Sequence, residues 1–308
     1  MGNLLGPETE NRHRDGAHEI EKLMQLTDLL PTYLDVCNPG GSPGTEKNHR
    51  DAIAAFGRTL GHDPTTADFT DENLGRHARL RLSAGIARDT VAGEQRKLFA
   101  EWRFAARRGM CPWPESRPIR VPRRVAIAWT RDEISAIWQA CMLMPPVDDC
   151  PGFLWWRSLL SVLWDTGVRI TEATRIQWEW IDFDRQQIHV PAEDRKGCFD
   201  DRLYDLTAES VVLLRLVPQT KAGPFAVNCH RSTLYNRYEK LLKLAGLPTD
   251  NKSKFHRIRR SAASHLAAAG GDSQKFLGHR DAATTELYLD PRILGKPSAV
   301  DLLFRPGA

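Results

Sequence analysis

From residue 17 to Gly109, apolar residues recur three and four positions apart, the spacing of one helix face. Leu23, Leu26, Leu29 and Leu30 predict a first helix, and Ala52, Ala54, Ala55, Phe56 and Leu60 a second. Thr70 ahead of Asp71 and Glu72 predicts a capped third helix, stopped by Gly85. A fourth runs from about Thr90, with Val91, Leu98, Trp102 and Ala105 on one face and Gly109 closing it. These helices predict a small all-helical domain over residues 17–110, preceded by a polar, flexible stretch at 1–16.

The periodicity stops at Cys111-Pro-Trp-Pro-Glu-Ser-Arg-Pro, where prolines disfavour helix, and residues 111–128 read as an extended linker. Arg117, Arg120, Arg123 and Arg124 line it with positive charge. A second domain, 129–308, opens at Thr130-Arg-Asp-Glu133, a capping-box sequence ahead of Ile134, Ile137, Trp138 and Cys141. A strongly apolar helix from about Phe153 ends at Gly167, and a further helix spans Thr171–Trp178. Alternation in Ile181-Asp-Phe and Gln187–Pro191, with Leu203–Leu206, predicts a small antiparallel sheet. Helices follow at about Ala208–Leu216, Ser232–Ala245, Phe255–Ala269 and from about Asp281. The fold class is thus mainly α: a helical N-terminal domain joined to an α+β domain with a small sheet.

Composition narrows the field only modestly. The 308 residues leave room for two domains, and 41% hydrophobic with 27% charged content is ordinary for a globular protein. No apolar run approaches the ~20 residues of a membrane span, and Met1–Gly6 has no basic, apolar leader pattern. A cytoplasmic protein is expected. The six cysteines lack paired spacing, which predicts reduced, mostly structural thiols and no metal. A net charge of +4 permits nucleic-acid binding through a local face without requiring it.

The chemistry is concentrated in a few short motifs. Thr166-Gly167-Val168-Arg169 is followed by Glu172, His256-Arg257-Ile258-Arg259 by Leu277-Gly278-His279, and nine residues beyond that histidine stands Tyr288. His256 and Arg259 lie one helical turn apart and share a face. Two guanidiniums, two imidazoles and a phenol make a set able to hold a phosphodiester by its non-bridging oxygens while the phenol attacks phosphorus. A lone arginine here would more often be an ion pair, such as Arg169 with Glu172. Tyr288 between two leucines, taken alone, reads as a core residue.

In order and spacing these residues resemble the tyrosine recombinase (phage integrase) family, from about Trp129 to the end, and more loosely in the layout of the N-terminal part. The resemblance implies a core DNA-binding domain at 17–110 and a catalytic domain at 129–308. It implies Arg169 and Arg259 as phosphate clamps, His256 as acid/base or phosphate donor, and His279 as a second donor. Tyr288 is then the nucleophile, Glu172 the residue orienting Arg169, and a hairpin lysine the acid that protonates the departing 5′ hydroxyl. Lys196 is the best match for that lysine, with Arg195 as its rival. Two departures stand out: the His256–His279 stretch is about three residues short, close to one helical turn, which predicts a re-aimed His279 segment. The residue after the second arginine is Arg260, where the family often has histidine or lysine.

The implied activity is site-specific cleavage and rejoining of double-stranded DNA through a 3′-phosphotyrosyl link. It needs no metal, ATP or other cofactor, because the bond energy is kept in that link. The implied assembly is a homotetramer on paired sites, with the tail Ser298–Phe304 packing on a neighbour or folding back on its own domain. Beside this set, the linker arginines read as a strap along the DNA backbone rather than a solubilising segment. Phage, transposon or other mobile-element integration, cassette exchange and dimer resolution all remain open, as do two rivals. These are a type IB topoisomerase-like enzyme and a catalytically degenerate DNA-binding protein on the same scaffold.

Overall fold

The computed structural model describes residues 23–195, 200–227 and 229–295. The expectations for residues 1–16, Lys196 and the tail at 298–304 fall outside the described residues. The chain divides into two compact units, one ending at Arg123 and the other starting at Arg124.

The first unit is helical: α1 (Leu26–Cys37), α2 (Pro43–Leu60), α3 (Asp71–Ser83) and α4 (Arg88–Ala106). The signals read from the sequence act locally. The Thr70 hydroxyl accepts from the Asn73 amide at 3.1 Å and caps α3, and Gly85 just beyond its end takes φ +76°. Leu26, Leu30, Phe56, Leu74, Leu98 and Trp102 meet in its core. The stretch from Cys111 forms no helix or strand, but through Ile119 it is fastened to this unit. Asp71 accepts from the amides of Glu115 and Ser116 at 3.2 and 3.0 Å, and Gln95 from that of Ile119 at 2.8 Å. Arg117, Arg120, Arg123 and Arg124 are exposed along it.

In the second unit, α5 (Arg131–Ala140) starts at a complete capping box between Thr130 and Glu133. α6 (Gly152–Thr166) is buried around most of its circumference and serves as the central post. Trp156 on it stacks against Phe255 and Tyr238. α7 (Ile170–Ala173) is a single turn, not the helix to Trp178 expected from the sequence. Close packing overrides helix propensity there: a Cβ on Gly223 would meet the Ile176 carbonyl oxygen, and the Trp178 amide bonds to Ala222 O at 3.1 Å. The sheet is antiparallel in the order β1 (Ile181–Asp182), β2 (Gln187–Val190) and β3 (Arg202–Asp205). Ile181, Ile188 and Tyr204 align across it and point into the core.

The remaining helices are α8 (Ala208–Leu216), α9 (Arg231–Leu244), α10 (His256–Ala268), α11 (Ser273–Leu277), α12 (Ala282–Glu286) and α13 (Pro291–Leu294). Helix α11 was not expected, since five residues are too few to show a period. Cys111, Cys141 and Cys150 are buried, and burial lifts their thiols to about 11, 12 and 11, as suits inert structural cysteines. Among the described residues no helix is long and apolar enough to cross a membrane.

Candidate active site

Helix α10 supplies three of the site's side chains from its first two turns. Arg259 is buried, only 3% exposed, and points inward. Its two terminal nitrogens donate to main-chain carbonyls, one to Gly167 and the other to Leu277 at 2.7 Å. A fully desolvated guanidinium is costly unless its donors are engaged, and two carbonyls meet part of that need. Its Nε finds no acceptor among the described residues. His256 lies one turn earlier, with Arg260 four residues after it on the same side.

Gly167 explains why the first motif reads Thr-Gly-x-Arg. It ends α6 at φ +58°, a left-handed conformation that favours glycine. A Cβ at this position would lie 2.5 Å from the Phe276 ring, so Phe276 of α11 packs directly over its backbone. The turn then places Arg169 at the start of α7, where Nη1 donates to the buried Glu172 carboxylate at 3.0 Å. The other oxygen of Glu172 accepts from the Arg169 amide at 3.3 Å, so one carboxylate fixes both ends of the arginine.

Tyr288 sits half-buried against this cationic face. Its ring meets those of His256 and His279 edge-on, with centroids 4.9 and 4.7 Å away. The guanidinium carbons of Arg259 and Arg260 lie 5.8 and 5.9 Å from its centroid. His279 bonds through Nδ1 to the buried Thr285 hydroxyl at 3.1 Å, which sets the orientation of the imidazole. His279 thus faces Tyr288 in spite of the short His256–His279 stretch. Gly270, at φ +83°, turns the chain within one step and Gly271 N bonds back to Leu266 O at 2.9 Å. The shortened connection still delivers His279 to the tyrosine.

Just past Tyr288, Asp290 is fully buried and pins the segment. Its carboxylate accepts from the Ala128 amide at 2.8 Å and from Arg292 Nη2 at 2.6 Å, while its own amide donates to Ser264 of α10 at 3.0 Å. Arg202 on β3 ties the sheet to α11 by donating to Phe276 O at 2.7 Å, beside Gly278.

The local field is strongly positive. Withdrawal from water and then the Arg260, Arg259 and Arg169 cations push the His256 imidazole down to about 4. Because His256 as a whole remains exposed, the guanidinium field is the firmer of these causes. His279 is likewise held at about 4 by partial burial and by Arg259, Arg169 and Arg202. Burial, then repulsion from Arg169, lowers Arg259 to about 10. Both imidazoles are therefore neutral at pH 7. Cations assembled at such cost against one another favour an anion between them.

The structure thus brings together five of the residues singled out in the sequence, Arg169, His256, Arg259, His279 and Tyr288, with Glu172 behind the first. Lys196 lies outside the described residues. Its neighbour Arg195 is half-buried and donates to Asp200 O. Sequence reasoning missed Arg202, Thr285 and Asp290 in this neighbourhood. Only Asp290 carried a readable signal, as an Asp-Pro pair ahead of a short helix. Among the described residues no group of three or more carboxylate, histidine or cysteine side chains is placed to hold a metal ion.

The model of the phage integrase family matches residues 129–293, and the chain belongs to that family, the tyrosine recombinases. It is 25% identical to the tyrosine recombinase XerC of Xanthomonas axonopodis pv. citri (strain 306), over 72% of this chain and 74% of that one. It is 30% identical to the tyrosine recombinase XerD of Staphylococcus epidermidis (strain ATCC 12228 / FDA PCI 1200), over 43% and 48%. In fold it is similar to a lambda integrase tetramer bound to a Holliday junction, with a TM-score of 0.69, 18% identity and coverage of 90% and 80%. The Tn1549 transposon integrase in complex with transposon right end DNA gives 0.69 at 13% identity, covering 91% and 97%.

Proposed function

We propose that the protein is a site-specific DNA recombinase that breaks and rejoins double-stranded DNA through a 3′-phosphotyrosyl intermediate. The observation that carries this reading is Tyr288 packed between two neutral imidazoles and within 6 Å of two guanidiniums of its own chain. Arg169 and Arg259 bind the non-bridging oxygens of the scissile phosphate and offset the charge added at pentacoordinate phosphorus. Glu172 keeps Arg169 aimed. His279 donates to the same phosphate, and neutral His256 accepts the phenolic proton as Tyr288 attacks.

The O3′-side phosphate becomes esterified to Tyr288 while the 5′ oxygen leaves, taking a proton from Lys196. Reversal by a 5′ hydroxyl from a second duplex completes strand exchange and frees the tyrosine. No metal or cofactor enters. The exposed Arg117, Arg120, Arg123 and Arg124 bind DNA phosphates, residues 17–110 form the core-binding domain, and four copies assemble on paired sites. The enzyme works in the cytoplasm on a mobile element.

The test is a nicked suicide duplex bearing the element's own end sequence. A denaturation-resistant protein–DNA adduct, together with strand exchange between two such sites, supports the proposal. Relaxation of supercoiled DNA without exchange would assign a topoisomerase, and binding without any adduct a degenerate scaffold.

A further inference from the structure

Arg260 is not accounted for by the set above. It follows Arg259 on α10, and a one-residue step turns a side chain about 100° around the helix axis. Arg259 therefore goes inward to Gly167 and Leu277, while Arg260 stays half-exposed on the side of His256. Its guanidinium carbon is 5.9 Å from the Tyr288 centroid. Its Nε is buried and meets no acceptor among the described residues, and no carboxylate there pairs with it. The other arginines of this helix are committed: Arg257 lies over Trp129 and bonds to Ala128 O, and Arg259 holds two carbonyls. A half-buried cation without a counterion beside a nucleophile is stable only at some cost, and an anionic ligand relieves it.

We propose that Arg260 is a phosphate-binding residue of this site, holding the phosphodiester next to the scissile one on the strand that Tyr288 attacks. The inference rests on the recombinase reading. Two guanidiniums, Arg169 and Arg259, already suffice for the two non-bridging oxygens of the scissile group. Arg260 projects to a different side of α10 yet stays as close to Tyr288 as Arg259 does, which suits the neighbouring phosphate. After withdrawal from water, Arg260 is also the first of the cations that disfavour the protonated His256 imidazole, so it helps keep that base neutral.

The experiment is a cycle between side chain and phosphate. Single-turnover adduct formation is measured for wild type, Arg260→Ala and Arg260→Lys. The duplexes are either fully charged or carry one neutral methylphosphonate at the scissile phosphate or at the phosphate on either side. Arg260→Ala is expected to slow the reaction about 10- to 100-fold on charged DNA, the scale of a charge-assisted contact. Arg260→Lys restores part of the rate, because a cation remains. On one flanking-substituted duplex the Arg260→Ala defect shrinks to about 3-fold or less, since the partner charge is already gone. An equal defect on both flanking-substituted duplexes, suppression only at the scissile position, or no defect on charged DNA overturns the inference. If wild type itself forms no adduct, the recombinase reading fails and this inference falls with it.

Discussion

Arg259 donates a hydrogen bond to the main-chain carbonyl of Gly167, across 92 residues of sequence. This bond joins the Thr-Gly-x-Arg turn at the end of α6 to the His-x-x-Arg helix α10. Arg169 and Arg259 are thereby placed by one shared backbone feature. Because that feature is a left-handed glycine under the Phe276 ring, it is sensitive to a single added methyl.

Gly167→Ala should therefore cost more than an ordinary surface change. The new Cβ meets Phe276 at 2.5 Å and the residue must keep φ near +58°. Strain and overpacking together predict a loss of about 2–4 kcal/mol in urea unfolding, with slower adduct formation even at temperatures where the variant stays folded. A variant as stable and active as wild type would show that the turn does not organise the site.

The histidines impose a pH dependence on the DNA-free protein. Their folded pKa values of about 4 lie below the ~6.5 of an unfolded imidazole. Such a group's contribution to stability is complete above ~6.5 and is lost as pH falls toward about 4, because only the unfolded chain takes up the proton in that window. The urea midpoint of wild type should drop between pH 7 and pH 5 by more than that of a His256→Gln/His279→Gln double variant. Parallel profiles would mean that the two rings are not held neutral by their surroundings.

Asp290 should behave as a positioning residue. Asp290→Ala strands the Ala128 amide and releases the Arg292 guanidinium, while Asp290→Asn keeps an acceptor for the amide. Leaving the buried Ala128 amide unpaired predicts about 1–3 kcal/mol of destabilisation for alanine and less for asparagine, while the largely exposed Arg292 side chain turns to water. Hydrogen exchange of residues 281–292 should rise in step, and the adduct rate should fall with DNA affinity nearly unchanged. Unaltered exchange in that segment would contradict the anchoring role.

The leaving-group acid can be separated from its rival by chemistry. Replacing the departing 5′ oxygen with sulfur removes the need for a proton, since thiols ionise near ~8.5 and alcohols far higher. Lys196→Ala should be slow on normal DNA and recover most of its rate on the sulfur-bridged duplex. Recovery by Arg195→Ala instead would move the role to Arg195.

Much of this architecture can be read along the chain because its signals are local. Thr70 and the Thr130–Glu133 box mark helix starts, Gly167 marks the end of α6, and alternation at Gln187–Val190 marks a strand. The motif residues Arg169, His256, Arg259, His279 and Tyr288 were found by type and spacing, which survive without knowledge of contacts. What escaped depends on contacts distant in sequence or lies in elements too short to show a pattern. The single turn of α7 is set by Gly223 packing on Ile176, and α11 is too short to carry a period. Asp290 matters through an amide 162 residues away. The three-residue deficit before His279 suggested displacement, yet a glycine turn absorbs it.

The most direct test of the account is to identify the amino acid that carries DNA after cleavage. Wild-type protein trapped on the suicide duplex is digested with nuclease and protease, and the modified peptide is sequenced by mass spectrometry. The account predicts a nucleotide joined through its 3′ phosphate to Tyr288, and no modified peptide from Tyr288→Phe although that variant still binds DNA. A nucleotide on any other side chain, or an adduct that persists in Tyr288→Phe, would contradict it.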